Sequence, residues 1–181
     1  MKGDQTVATQ SIDQYALRHA FVVGLRNAHA LEHQALALMD RQIEHLAQYA
    51  DVEQRLRSHR GETERQIERL ERILESLGES HSAVKDVTMS LTGSLAALGH
   101  TFSSDEILKN SFANMAFESF EKATYKALII MAQTGGFADV VPLLEETLRE
   151  EEAMITFLDE TLPAVVTKYL SLRAAGEQAS H

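Results

Sequence analysis

"NAHALEHQALALMD", residues 27–40, has the spacing of a helix, but polar groups stand where its buried face should be apolar. Apolar residues recur every three or four positions, as on one face of an α-helix, yet His29, Glu32 and His33 fall among them. Extending the stretch in both directions puts Leu25, Glu32, Met39 and Leu46 seven residues apart, interleaved with Val22, His29, Leu36 and Ile43. Two such rows make the seam by which a helix packs into a bundle. A carboxylate in that seam is costly to bury without a partner, so the same residues pose both the fold and the chemistry.

Working outward, residues 1–10 read as a flexible N-terminus, and Ser11-Ile12-Asp13 opens the first helix, which is expected to reach about Ala47. After a break near "QYAD", a second helix is expected from about Val52 to Leu77, ended by Gly78. Its rows are Leu56, Thr63, Leu70 and Leu77 beside His59, Gln66 and Ile73. Gly61 within it costs about 1 kcal/mol relative to Ala, too little to break a long packed helix. A long crossover follows, with a modest helix expected around Asp86 to Leu98. Ser103-Ser104-Asp105-Glu106 supplies caps for a third helix that ends at Gly135-Gly136. The fourth is expected from about Ala138 to Leu162, with Pro142 in its first turn and Pro163 opening a short fifth helix before a polar tail. The expectation is therefore an all-α chain. Residues 11–162 form a four-helix bundle with a crossover helix, and residues 163–181 a short C-terminal helix and tail.

Composition narrows the function. Acidic residues outnumber basic ones 27 to 17, for a formal charge of -10, which disfavours nucleic acid as a partner. Without cysteine there are no disulfides, thiolate metal ligands or thiol nucleophiles. "MKGDQTVATQSID" lacks the apolar run of a signal peptide, and no segment approaches the ~20 apolar residues of a membrane span. Cytoplasm is the expected compartment. Phosphate loops, nucleophile elbows and the His-Glu-x-x-His arrangement are also absent.

Each long helix instead offers an inward acid. Glu151 shares a row with Leu144 and Leu158, beside Leu148, Ile155 and Leu162. Glu121 lies one turn from Phe117, and Glu62 flanks the row of His59 and Gln66. Burying several carboxylates uncompensated would cost several kcal/mol apiece or force protonation, so a shared cation is the simplest common partner. Glu32 and Glu62 are 30 residues apart, and Glu118 and Glu151 are 33 apart, matching one position on each of two paired helices. Dinuclear carboxylate bundles draw a Glu from two helices and Glu-x-x-His from the other two.

Four segments carry a specific likeness: "ALEHQALALM", "HRGETERQIERLERILESLG", "FESFEKATYKAL" and "LLEETLREEEAM". They resemble the helical signatures of the YciE/YciF ferritin-like family, over roughly residues 12–160. In that resemblance Glu32 and Gln34 fall in the first block and His59, Glu62 and Thr63 in the second, Glu118 and Glu121 in the third, and Glu150 and Glu151 in the fourth. Ser119 stands where the family pattern has a helix-3 His, Gly61 where it has a second Glu, and Ile155 where it has a helix-4 Asp. The resemblance implies a ferritin-like bundle, a homodimer, and a dinuclear iron or manganese site that oxidises Fe(II) with O2 or peroxide in a stress response. Its metal ligands would be Glu32, Glu62, Glu121 and Glu151, then His59, with Glu118 beside them and His29 as a replacement imidazole. The competing readings are a non-enzymatic helical stress or scaffold protein with a degenerate metal site, or a bundle that binds another cation or a small ligand. Tyr125, Met115, Met131 and Met154 read as core, and His33, His45, His81 and His100 as surface or packing residues.

Overall fold

The computed structural model describes residues 13–80 and 105–179. Four long helices account for most of them: α1 (Gln14–Ile43), α2 (Ala50–Ser76), α3 (Glu106–Gly135) and α4 (Val141–Ala174), the last preceded by a 3-10 turn at Ala138–Val140. Asp13 caps α1, its carboxylate accepting the Tyr15 N–H at 3.0 Å. At the far end of α3, Gly136 takes φ 78° and lets the chain reverse. The crossover and its expected helix, like residues 1–10, lie outside the described residues.

α1 ends a turn before Ala47. Leu46 and Tyr49 turn inward to join the core, and the Tyr49 N–H bonds the Leu46 carbonyl at 2.7 Å. A larger difference concerns Pro163, which was expected to open a separate helix and instead lies inside a continuous α4. Proline removes one helical N–H and strands the carbonyl four residues back. Both Pro163 and Asp159, which bears that carbonyl, are exposed, so water can serve the orphan. Beyond them Val165, Tyr169 and Leu172 pack into the core and hold the final turns helical.

Helix direction follows from which halves meet. One apolar cluster joins the N-terminal half of α1 (Phe21, Leu25), the C-terminal halves of α2 (Leu70, Leu74) and α3 (Leu128, Ala132), and the start of α4 (Leu144). A second joins Met39 and Ile43, Val52 and Leu56, Ile107 and Phe117, and Met154 and Leu158. α2 and α3 therefore run parallel to each other and antiparallel to α1 and α4, and the end of α2 and the start of α3 lie at opposite ends of the bundle. That is the topology of a ferritin-like bundle with one long crossover. α1 packs mainly on α2, α3 on α4, and the pairs meet chiefly through α1 and α3. At Gly24 a Cβ would stand 2.8 Å from Leu128 Cδ2, so any larger residue where α1 meets α3 would make that leucine side chain shift. Gln42 of α1 and Asn114 of α3 exchange two amide hydrogen bonds, of 2.9 and 2.8 Å. No described helix is long and apolar enough to cross a membrane.

Candidate metal centre

Between the two apolar clusters lies a polar belt to which all four helices contribute. Glu32 (α1), His59, Thr63 and Gln66 (α2), Glu118, Glu121 and Tyr125 (α3), and Thr147 and Glu151 (α4) are each 5% exposed or less. Seam spacing puts them there: each replaces one apolar rung in a row that is otherwise core.

His59 is the hub. Its Nδ1 lies 2.7 Å from Glu62 Oε2, while Nε2 faces inward, 3.1 Å from Glu118 Oε2 and 3.6 Å from Glu151 Oε2. Ligand atoms of His59, Glu118 and Glu151 all lie within 4.8 Å of one another, a spacing one metal ion can bridge. Around them, Tyr125 donates its hydroxyl hydrogen to Glu32 Oε1, and Gln66 Nε2 donates to Glu151 Oε1 at 2.5 Å. Gln66 also reaches Glu150, which Arg69 pairs at 2.6 Å.

The belt lacks enough donors for its acceptors. One oxygen each of Glu32, Glu118, Glu121 and Glu151 is buried with no hydrogen bond among the described residues, those of Glu118 and Glu151 facing the His59 Nε2 as ion pairs. Burial, with the Coulombic push of the other acids, drives the Glu121 and Glu151 carboxyls well above their ordinary range. Burial raises Glu32 to about 8 although the Tyr125 hydroxyl and the His59 charge oppose it. For His59 burial alone would lower the pKa, but the Glu118 carboxylate and the hydrogen bond to Glu62 win and raise it to about 9. Glu62 is held down at about 2, chiefly by its bond to His59 and then by Arg55. Without a cation, Glu32, Glu121 and Glu151 are pushed toward the neutral acid and His59 toward the imidazolium.

The donor set fits a metal. His59, Glu118 and Glu151 bring ligand atoms together, and Glu32 and Glu121 add buried oxygens without a hydrogen bond among the described residues, an oxygen-rich set of the kind iron and manganese accept. Glu62 accepts from the outer nitrogen of His59 and so fixes the ring with its other nitrogen inward, the part that an outer-shell carboxylate plays for a ligating histidine.

The sequence-predicted residues divide accordingly. Glu32, His59, Glu118, Glu121 and Glu151 come together in the belt. Glu62 sits at its rim, half-buried, bonded to Arg55 at 3.0 Å. His29 turns away to α2, where its Nε2 meets Glu71 at 3.2 Å, and adds no imidazole to the belt. Ser119 is exposed with its hydroxyl on the Met115 carbonyl, and Ile155 is a half-buried apolar residue. Gln34 is half-buried with its amide nitrogen unpartnered.

Sequence reasoning missed Arg69, which is buried and reaches Glu146 at 2.5 Å and Glu150 at 2.6 Å. The signal was present: Arg55, Glu62 and Arg69 stand seven apart, a charged row along one side of α2. Tyr125, read as core, is core in position and also holds Glu32.

Fold and site together define a class: an all-α bundle with a buried carboxylate and histidine cluster able to hold a metal. A family described as "Domain of unknown function (DUF892)" matches residues 16–171, and the chain belongs to it. A solved structure from Xanthomonas campestris pv. campestris is 26% identical, with 87% of this chain and 99% of that one covered and a TM-score of 0.73. YcfI of Rhodopseudomonas palustris is also 26% identical, covering 85% and 96%, with a TM-score of 0.63. The E. coli stress protein YciF, at 22% identity, shares the fold over 84% of this chain and 98% of its own, with a TM-score of 0.67. The YciF-type likeness of the four helical segments is borne out.

Proposed function

We propose that the protein is a cytoplasmic dinuclear carboxylate protein that oxidises Fe(II) with O2 or peroxide, in a stress response like that for which YciF is named. The observation that carries this reading is the convergence of His59, Glu118 and Glu151 beside two further buried glutamates, Glu32 and Glu121, each of the four acids with an oxygen that makes no hydrogen bond among the described residues. Glu32, Glu118, Glu121 and Glu151, with His59 Nε2, would hold the metal. Two Fe(II) losing one electron each would reduce one O2 to hydrogen peroxide, with two protons taken up. The residues prepare for this. Tyr125 fixes Glu32 and Gln66 fixes Glu151. Arg69 neutralises Glu150, which keeps one more negative charge from the belt. Protons held by the belt acids and His59 leave as the cations bind. A small hollow lined by Ala35, Met39 and Phe117 lies against Glu118.

The reading includes a homodimer. Phe112, Ala116, Phe120, Ala123, Ala127 and Ile130 are exposed and repeat at intervals of four and three residues along α3. They make an apolar stripe about 27 Å long at 1.5 Å per residue, with small residues that admit a second copy's helix. Phe120→Glu should turn a sedimenting dimer into a monomer; an unchanged dimer would move the interface elsewhere.

Metal chemistry is tested by anaerobic Fe(II) titration of the metal-stripped protein, followed by O2. Two irons per chain, oxidised quickly and lost in Glu32→Ala and Glu151→Ala, are expected. Failure of folded protein to bind iron would leave the second reading, a non-enzymatic helical stress or scaffold protein. That reading is favoured by Ser119 and Ile155, which offer no ligand where the family pattern has His and Asp.

A further inference from the structure

We infer that His29, His33 and Glu71 form a second cation site, for a transition metal ion such as zinc, on the outer side of the α1–α2 pair. It stands without the belt and does not depend on iron chemistry there.

His29-Ala-Leu-Glu-His33 puts two imidazoles at i and i+4, on one helical face, the spacing by which helices chelate zinc. In the structure their ring centroids are 4.7 Å apart, with the planes at 70°. α2 brings up the carboxylate, with Glu71 Oε1 at 3.2 Å from His29 Nε2. A tetrahedral zinc about 2.0–2.1 Å from each of two ligands sets them roughly 3.3 Å apart, so that separation suits a shared ion. His29 is 5% exposed and its Nδ1 has no hydrogen-bond partner among the described residues. Among the described residues the ring's polar contact is the Nε2–Glu71 pair, with His33 edge-on beside it, and a cation would take the place of the proton between Nε2 and Glu71. His33 is exposed; as placed, its ring nitrogens are not within 4.8 Å of both other ligand atoms, and the site closes by rotation of this side chain toward Glu71. Glu71 is 34% exposed at its side chain, so water can complete the shell.

Two imidazoles and one carboxylate are a borderline nitrogen-and-oxygen set, which suits zinc better than the belt's four carboxylates do. Glu32, between the two histidines, points the other way, to Tyr125 across the bundle. The segment therefore places no general base beside the ligands, and the site binds rather than hydrolyses.

The test is calorimetric titration of the metal-stripped full chain with Zn2+. A Glu118→Gln/Glu151→Gln variant, with the belt disabled, should still take up one zinc per chain. Adding His33→Ala or Glu71→Gln should weaken that zinc by more than the roughly 10- to 100-fold that outer-shell losses cause, with unchanged helical circular dichroism. If the belt variant does not fold, His33→Ala in the otherwise native chain should lower total zinc by one. Co2+ should report the same loss as fading visible absorption. Zinc uptake unaffected by His33→Ala and Glu71→Gln, or absent once the belt is disabled in a folded chain, would overturn the inference.

Discussion

The apolar ends of the bundle and the belt between them bury their side chains equally well, by opposite means. Leu25 and Leu74 in one end and Glu151 in the belt are all at 0% exposure. For the leucines, burial is itself the driving force. For Glu151 it is a cost, met by Gln66 and a retained proton, or by a cation. The ends gain from burial with or without metal and at any pH; the belt is stable conditionally, and a binding site needs that conditionality.

The largest separation between the two regions should come from truncating the apolar end. Leu74→Ala is expected to cost about 2–5 kcal/mol by the cavity it leaves, equally with and without metal and at any pH, as measured by urea unfolding. A loss confined to the metal-free protein would break the comparison.

The belt should respond to pH instead. Glu32, Glu121, Glu151 and His59 all hold protons more tightly folded than unfolded. Their contribution is complete below the unfolded values, about 4.5 for Glu32 and 6.5 for His59, and is lost as pH rises through the folded ones, about 8 and 9. Glu62 has the opposite sign, its contribution present above 4.5 and lost as pH falls through about 2. The metal-free protein should therefore lose Tm steadily from pH 5 to pH 9, each unit of tighter proton binding being worth about 1.4 kcal/mol. Glu121→Gln should flatten this slope and, at pH 8, raise metal-free stability by about 1 kcal/mol. A steeper slope or a less stable variant would mean that the belt acids are ionised and paired.

Much of this was legible in the rows of seven. A Glu at a core rung, as at 32 or 151, has one direction to point, so helical spacing alone places it. His29 lies in the second row of its seam and Glu62 on the flank of its own, where spacing leaves the direction of a side chain open. Glu71 of α2 drew His29 away from the belt, and Arg55 on its own helix held Glu62 at the rim. Arg69 was hidden by the same ambiguity, because a flank arginine reads as solvated until α4 brings Glu146 and Glu150 alongside. Pro163 misled for a different reason. Its local penalty is real, but whether the stranded carbonyl meets water depends on which face is buried, and Val165 settles that from beyond the proline.

The reciprocal amide pair of Gln42 and Asn114 acts as a spirit level for the molecule. Greasy surfaces slide: a leucine row shifted by a turn still finds leucines. Two amides that satisfy each other in one alignment lose both bonds when α1 slips along α3. Because Glu32 rides on one of these helices and Glu118 and Glu121 on the other, the pair keeps the three carboxylates at one height.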